Sequence, residues 1–367
     1  MDFTEKLAKF DCSLGHACQF CPDEATCGLD KPHHNKRLIE ARLEQIDQII
    51  VVLANKGGVG KSTVTANLGA GLAKRGFRVG VADADIHGPN QSRFFGFAGA
   101  RTRTTHYGLR TQEFQAEGID HAVKVGSLAF MLEDDTTPVV WRDAYKHDFV
   151  HHLIGSFNWG SLDYLLVDMP PGTGNELITL CDMLEGANVS AVLVTTPQAV
   201  AQMDSLKAGR FCNERGLPVI GAVANMAGVV CPHCQGAFHV FPDAGLDAAL
   251  DDIGIASIAA IPLAPELAMG SDCGQPIVTG QPDSAVAAAF DPLIEAVCSR
   301  GREDFDTAVA HTLGQLFQDN LDDHQLHDAL ATLPEAVREE LSGEIATLLN
   351  GEVGRLRDSA PPRQGTK

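Results

Sequence analysis

Hydrophobic positions along this 367-residue chain gather into short β-branched runs separated by stretches of helical spacing. The run Ile49–Ala54 is apolar with no polar alternation, which predicts a strand buried on both faces. From Ser62 the pattern changes, and Val64, Leu68, Leu72 and Ala73 share one side of a predicted helix. Further strands are predicted at Arg78–Ala82, Val123–Val125, Tyr164–Val167, Ala191–Thr195, Val219–Ala224 and Ala259–Ile261. Strands alternating with helical stretches predict an α/β fold, with a mostly parallel central sheet flanked by helices. That rhythm occupies residues 37–300. Before it, residues 1–36 form a short, irregular segment that carries cysteines. After it, residues 301–367 are acidic with leucines at helical spacing, a predicted helical extension. The sequence has no internal repeat.

Composition narrows the class. At 44% hydrophobic and 21% charged the chain is globular, and its net charge of -20 predicts neither nucleic acid nor an anionic membrane as a partner. Met1–Phe10 is charged and lacks the apolar centre of a signal peptide, and no apolar run reaches membrane-spanning length. Ten cysteines without an export signal predict reduced thiols, metal or redox work, and a cytoplasmic location.

The junction between the first strand and the first long helix carries the chemistry. Gly57, Gly58, Val59 and Gly60 make a turn whose backbone N–H groups can face inward as an anion nest, and Lys61-Ser62-Thr63 opens a helix N-terminus. Strand, glycine turn and GKST together define a P-loop NTPase. Lys61 is expected to reach the β/γ-phosphates of ATP, with the Ser62 hydroxyl on Mg²⁺. Asn55 stands where the ordinary pattern has glycine, and its tolerance of left-handed backbone angles is expected to preserve the turn. Asp83 and Asp85 leave the C-terminal end of the second strand, where ligands of open α/β sheets collect. Solvated turn acids are the alternative reading of the pair. In DYLLVDMPPGTGN an apolar strand delivers Asp168, expected to hold Mg²⁺ through water, and Gly172 can bring its N–H toward a γ-phosphate.

Cys231-Pro232-His233-Cys234 offers two thiolates at metal-bite distance, half of a tetrahedral site. His233 or His239 could complete it, or a second copy of the same loop across a twofold axis. A structural pair and a redox dithiol are the other readings. Near the N-terminus, Cys18-x2-Cys21-x5-Cys27 with Cys12 upstream fits a [4Fe–4S] cluster, or zinc assisted by His16, His33 or His34. Cys181, Cys212, Cys273 and Cys298 lack paired spacing, and buried thiols are the default for them.

Asn55-Lys56-Gly57-Gly58 resembles the deviant P-loop xKGGxGK[ST] of the MinD/ParA/nitrogenase-iron-protein ATPases. The resemblance implies a nucleotide-sandwich homodimer in which Lys56 reaches the partner's nucleotide. It also implies that Asp85 positions the attacking water and that Asn225 recognises the nucleobase. Lys56, Lys61 and Asp85 would then be the catalytic set. NKGGVGKST, DADIHGPN, GSLAFMLEDDTTPVVWRDA, FNWGSLDYLLVDMPPGTGN, TTPQAVA, CPHC and GSDCGQPIV, in this order, resemble the Mrp/ApbC-type iron–sulfur cluster carriers. This closer likeness covers 37–300. It implies a slow, switch-like ATPase that receives a [4Fe–4S] cluster from a donor, shares it between two CPHC loops and passes it to apoproteins. Asn55, Asn175 (usually Asp) and Asp143 (often Gly) depart from that pattern. The N-terminal C-x2-C-x5-C resembles the cluster motif of the cytosolic scaffold branch of the same family. A positioning ATPase and a nucleotide-switched electron donor are the rival functions within the class.

Overall fold

The computed structural model describes residues 12, 14–132, 143–172, 174–231, 233, 234, 236–241 and 245–301, with backbone alone for 143–148. The predicted C-terminal helical extension beyond Gly301 lies outside the described residues. So do Met1–Phe10 and the stretch 133–142, which holds most of one motif run.

Helix α1 (Lys31–Leu43) leads into strand β1 (Ile46–Leu53). Asp30 caps α1 by accepting from His33 N at 3.2 Å, and Pro32 sits in its first turn, so the helix starts before residue 37 and runs through the predicted segment boundary. Helix α2 (Lys61–Lys74), β2 (Val79–Asp83), β3 (Gln112–Phe114) and β4 (Val123–Ser127) follow. Then come α3 (Asp143–Gly155), β5 (Leu162–Asp168), α4 (Asn175–Met183), β6 (Val189–Thr195), α5 (Ala199–Arg215), β7 (Val219–Asn225) and β8 (Ser257–Ile261).

These strands form one eight-stranded sheet in the order β8-β7-β6-β1-β5-β2-β4-β3. Every pairing is parallel except the edge pair β3–β4. From β1 the chain moves toward β2 on one side, and from its neighbour β6 toward β7 on the other, so the switch point lies between β1 and β6, beside the P-loop. Alternate residues of β1 feed two cores. Ile50 and Val52 join one with α2 and with Phe290, Leu293 and Ile294, whereas Ile49, Val51 and Leu53 join the other with α3, α4 and α5. Both faces are therefore covered, as the unbroken apolar run requires. Trp159, fully buried, fits because Gly126 of β4 has no side chain: a Cβ there would stand 2.7 Å from the indole. Among the described residues no helix is long and apolar enough to cross a membrane.

The predicted strands are all present, with bounds shifted by one to three residues: β1 runs Ile46–Leu53 rather than to Ala54, and β2 starts at Val79 rather than Arg78 and reaches Asp83. Three short features are additional: β3, the pair Thr104–Thr105 and Gly108–Leu109, and the pair Val229–Val230 and Ala237–Phe238.

Candidate functional site: a P-loop and two cysteine sites

The P-loop closes at the C-terminal end of β1. Gly58 and Gly60 have φ of 81° and 85°, the left-handed region that favours glycine. A side chain at Gly60 would also run into the Asn225 amide. Asn55 does not take the left-handed angles expected of it: among described non-glycine residues, Met226 alone has positive φ, at 57°. The departure at position 55 therefore needs no special backbone.

Asp83 and Asp168 end adjacent strands and are direct ladder partners. Both are fully buried, so Asp83 is no solvated turn acid. The Lys61 ammonium lies 2.6 Å from Asp168 Oδ1, which also accepts from Thr65 Oγ1 at 3.3 Å. Gln91 Nε2 donates to Asp168 Oδ2 at 2.8 Å and to the Ser62 carbonyl at 3.0 Å. Asp83 accepts from Gln91 N (3.0 Å), Ser127 Oγ (3.1 Å) and Asp85 N (3.3 Å). Burial, then the neighbouring Asp168, pushes the Asp83 carboxyl up. Asp85 is half-buried, its pKa also raised by burial, and its Oδ1 accepts from Gly88 N at 3.1 Å. Gln91, Thr65 and Ser127 thus complete the site without having been legible in the sequence; only the position of Gln91 directly after DADIHGPN hinted at it.

Two predicted roles start from other engagements. Gly172 N donates to the Ala54 carbonyl at 2.9 Å, so bringing it to a phosphate means breaking that bond. Asn225 Nδ2 donates to the Val59 carbonyl at 2.8 Å, propping the P-loop. The same residue lines a cavity of ≈310 Å³ with Gly60, Thr63, Phe94, Met226 and Pro262. Lys56 and Thr63 are half-exposed beside exposed Gly57 and Gly58, with Val59 buried beneath.

The CPHC motif lies on a hairpin directly after β7. Val229–Val230 pairs with Ala237–Phe238, and Cys231 N donates to the Gly236 carbonyl at 3.0 Å. Cys231 is half-buried and Cys234 exposed. Hydrogen bonds from the Cys234 and His233 backbone lower the Cys231 pKa. Val230, Phe238 and Val240 are exposed around the two thiols. His239 Nδ1 lies 2.8 Å from the Ala227 carbonyl rather than with the cysteines.

The N-terminal cysteines lie in a different setting. Cys12, Cys18, Cys21 and Cys27 line one cavity of ≈20 Å³ with His16 and His34. Burial, then the nearby Cys27, Cys12 and Cys21 thiols, pushes the Cys18 thiol up to about 11. Among the described residues, no three His, Cys, Asp or Glu side chains stand close enough together to enclose an ion. The donor set is nonetheless a metal-binding one: four soft sulfurs lining a common space, beside a buried imidazole whose Nε2 makes no well-formed hydrogen bond among the described residues. Arg42 fastens this segment to the ATPase core, donating to the carbonyls of Gly15 (3.0 Å), Gly155 (3.3 Å) and Tyr107 and to Asn158 Oδ1 (3.3 Å). Of the remaining cysteines, Cys212 and Cys298 are buried as expected, Cys181 is half-buried and Cys273 is exposed.

A parallel sheet switching at β1, a GKST helix N-terminus and buried aspartates at the ends of β2 and β5 define a P-loop nucleotide hydrolase with a deviant, two-lysine loop. The chain belongs to the ParA-group family of NUBPL iron-transfer P-loop NTPases, whose profile matches residues 45–298. It is 39% identical over 263 residues to an iron-sulfur cluster carrier protein of Pseudomonas fragi, covering 71% of this chain and 88% of the relative. It is 36% identical over 289 residues to the cytosolic Fe-S cluster assembly factor NBP35 of Eremothecium gossypii, covering 77% and 85%. Among solved structures it resembles a nucleotide-binding protein from Archaeoglobus fulgidus in complex with ADP. That match has 33% identity and a TM-score of 0.57, covering 66% of this chain and 92% of the other.

Proposed function

We propose that this protein is an ATP-dependent scaffold and carrier that accepts a [4Fe–4S] cluster from a donor, holds it between two CPHC hairpins of a homodimer and releases it to apoproteins. The observation that carries this reading is the placement of Cys231 and Cys234. They stand on a solvent-facing hairpin that emerges from β7, the strand whose last residue, Asn225, holds the P-loop. Two thiolates per hairpin make half of a four-thiolate set, so a second copy completes it. The exposed Val230, Phe238 and Val240 suit burial against that copy.

In the nucleotide site, Asp168 would hold Mg²⁺ through water and Ser62 would bind it directly; the buried, oxygen-rich acids fit such an ion. Mg²⁺ neutralises phosphate charge when bound. Lys61, now paired with Asp168, would turn to the β/γ-phosphates as Mg²⁺ takes over that carboxylate. Asp85 would orient the attacking water, and Asn225 would meet the base across the ≈310 Å³ cavity. Lys56 makes no hydrogen bond or ion pair among the described residues, which leaves it available to the partner's nucleotide. The chemistry needs only positioning and charge neutralisation, which suits slow, switch-like turnover.

Anaerobically loaded protein tests the reading. Wild type should carry about one labile cluster per dimer by ligand count and transfer it to an apoprotein. Cys231→Ala/Cys234→Ala should lose that cluster and transfer while still binding ATP. Lys61→Ala should keep the cluster but lose hydrolysis, and should lose stability without nucleotide because buried Asp168 loses its ion-pair partner. Breaking a buried pair costs about 3 kcal/mol or more. Full iron and transfer in the double cysteine variant would leave the hairpin structural and reject the carrier reading.

A further inference from the structure

Among the described residues, several buried side-chain polar atoms lack a hydrogen-bond partner, and one of them lies against the N-terminal cysteines. His34, on α1, is 5% exposed, and its Nε2 is buried and makes no well-formed hydrogen bond among the described residues, with the Leu14 backbone and the Asn35 side chain as its polar neighbours. Its Nδ1 lies 3.3 Å from Cys18 Sγ, and the residue lines the small cavity shared by Cys12, Cys18, Cys21 and Cys27. Leaving such a nitrogen unsatisfied costs about 1–3 kcal/mol, so a buried orphan calls for an explanation.

The two neighbouring histidines do not share this position. His16 is buried in the same wall, but its Nδ1 faces the Ala17 carbonyl. His33 is exposed on the outer side of α1. His34 is also the donor whose place is fixed independently of the cysteine loop. The helix that carries it is capped by Asp30, and its neighbour Asn35 accepts from Cys18 N at 3.0 Å. Cys18 and His34 are thus pinned to the same turn of α1, with Cys21 following in the chain within hydrogen-bonding distance of Cys18 O.

We propose that the N-terminal metal centre is held by Cys18, Cys21, Cys27 and His34, and that Cys12 is dispensable for it. Three thiolates and one imidazole form a complete tetrahedral set for Zn²⁺. The same set can hold a [4Fe–4S] cluster with one nitrogen ligand. The inference rests on the N-terminal cysteines being a metal centre. It does not depend on transfer from the hairpin.

The test uses full-length protein carrying Cys231→Ala/Cys234→Ala, so that the hairpin contributes no metal. Iron, sulfide and zinc are quantified after anaerobic purification. An iron centre is examined reduced by pulsed EPR for coupling to a coordinated imidazole nitrogen, and a zinc centre by X-ray absorption for its nitrogen and sulfur shells. The background protein should hold one centre per chain with one nitrogen ligand. Cys12→Ser should keep both metal and nitrogen signal. His34→Ala should lose most of the metal, and His34→Cys should recover it with the nitrogen signal gone. ATP binding in each variant reports that the core is folded. Full metal in His34→Ala, or loss of metal in Cys12→Ser alone, overturns the assignment. A background protein with no metal overturns the centre itself, and leaves the hairpin reading untouched.

Discussion

Cys18 lies 9% exposed under α1, its backbone tied to Asn35, whereas Cys234 stands exposed on a hairpin whose strands are two residues long. Each belongs to a CxxC, and the folds around them differ in kind. At the N-terminus, burial raises the Cys18 thiol to about 11, so bringing a thiolate there is favourable only with a cation to meet it. On the hairpin, backbone hydrogen bonds lower the Cys231 pKa, so a thiolate is stabilised in contact with solvent. The first arrangement favours retention of what is bound. The second favours exchange. One chain thus holds an enclosed thiol site and an open one.

The contrast is broken most decisively by native-state alkylation of metal-free protein, read by peptide mass spectrometry. Cys231 and Cys234 should react first and Cys18 much later. Cys212, fully buried with its thiol pushed to about 12 by burial, sets the slow limit. At pH 8 only about one part in ten thousand of such a thiol is ionised, so the hairpin thiols should lead it by roughly a thousandfold or more. Equal rates would show that the hairpin is not open.

Arg42→Ala should convert the enclosed site toward the open one. It removes donors to four backbone and side-chain oxygens that lock Gly15 against Tyr107, Gly155 and Asn158. A loss of about 3 kcal/mol is expected for such charged hydrogen bonds. Cys18 should then label faster, while hairpin labelling stays the same. A lower Tm with Cys18 still protected would mean that other contacts dock the segment. The smallest effect on stability belongs to Phe238→Asp. With the ring 52% exposed, the change should stay within about 0.5 kcal/mol. Dimerisation measured by light scattering should nevertheless weaken, and an unchanged dimer would move the interface elsewhere.

Apolar runs announced β2, β5 and β7, but each observed strand reaches one residue past the C-terminal end of its run, to Asp83, Asp168 and Asn225, residues that line the site. The strand β3 escaped notice because only Phe114 of its three residues is buried. The P-loop and both cysteine motifs were legible because their chemistry depends on residues close in sequence. Gln91 and Arg42 were not, since each acquires its role from tertiary approach: Gln91 meets Asp168 across 77 positions and Arg42 meets Asn158 across 116. No local pattern encodes such pairs.

The Asn225 amide that props the Val59 carbonyl has a mechanical consequence. Next to it, Met226 holds a left-handed backbone angle that costs a non-glycine residue about 1–2 kcal/mol, and the hairpin stem begins three residues later. The stem is guyed on its other side, with Leu263 N bound to the Gly228 carbonyl and Ala227 N to that of Ile261. A displacement of the P-loop therefore has a short, taut line to follow: through one amide, around one sprung turn, and into the stem that carries Cys231 and Cys234.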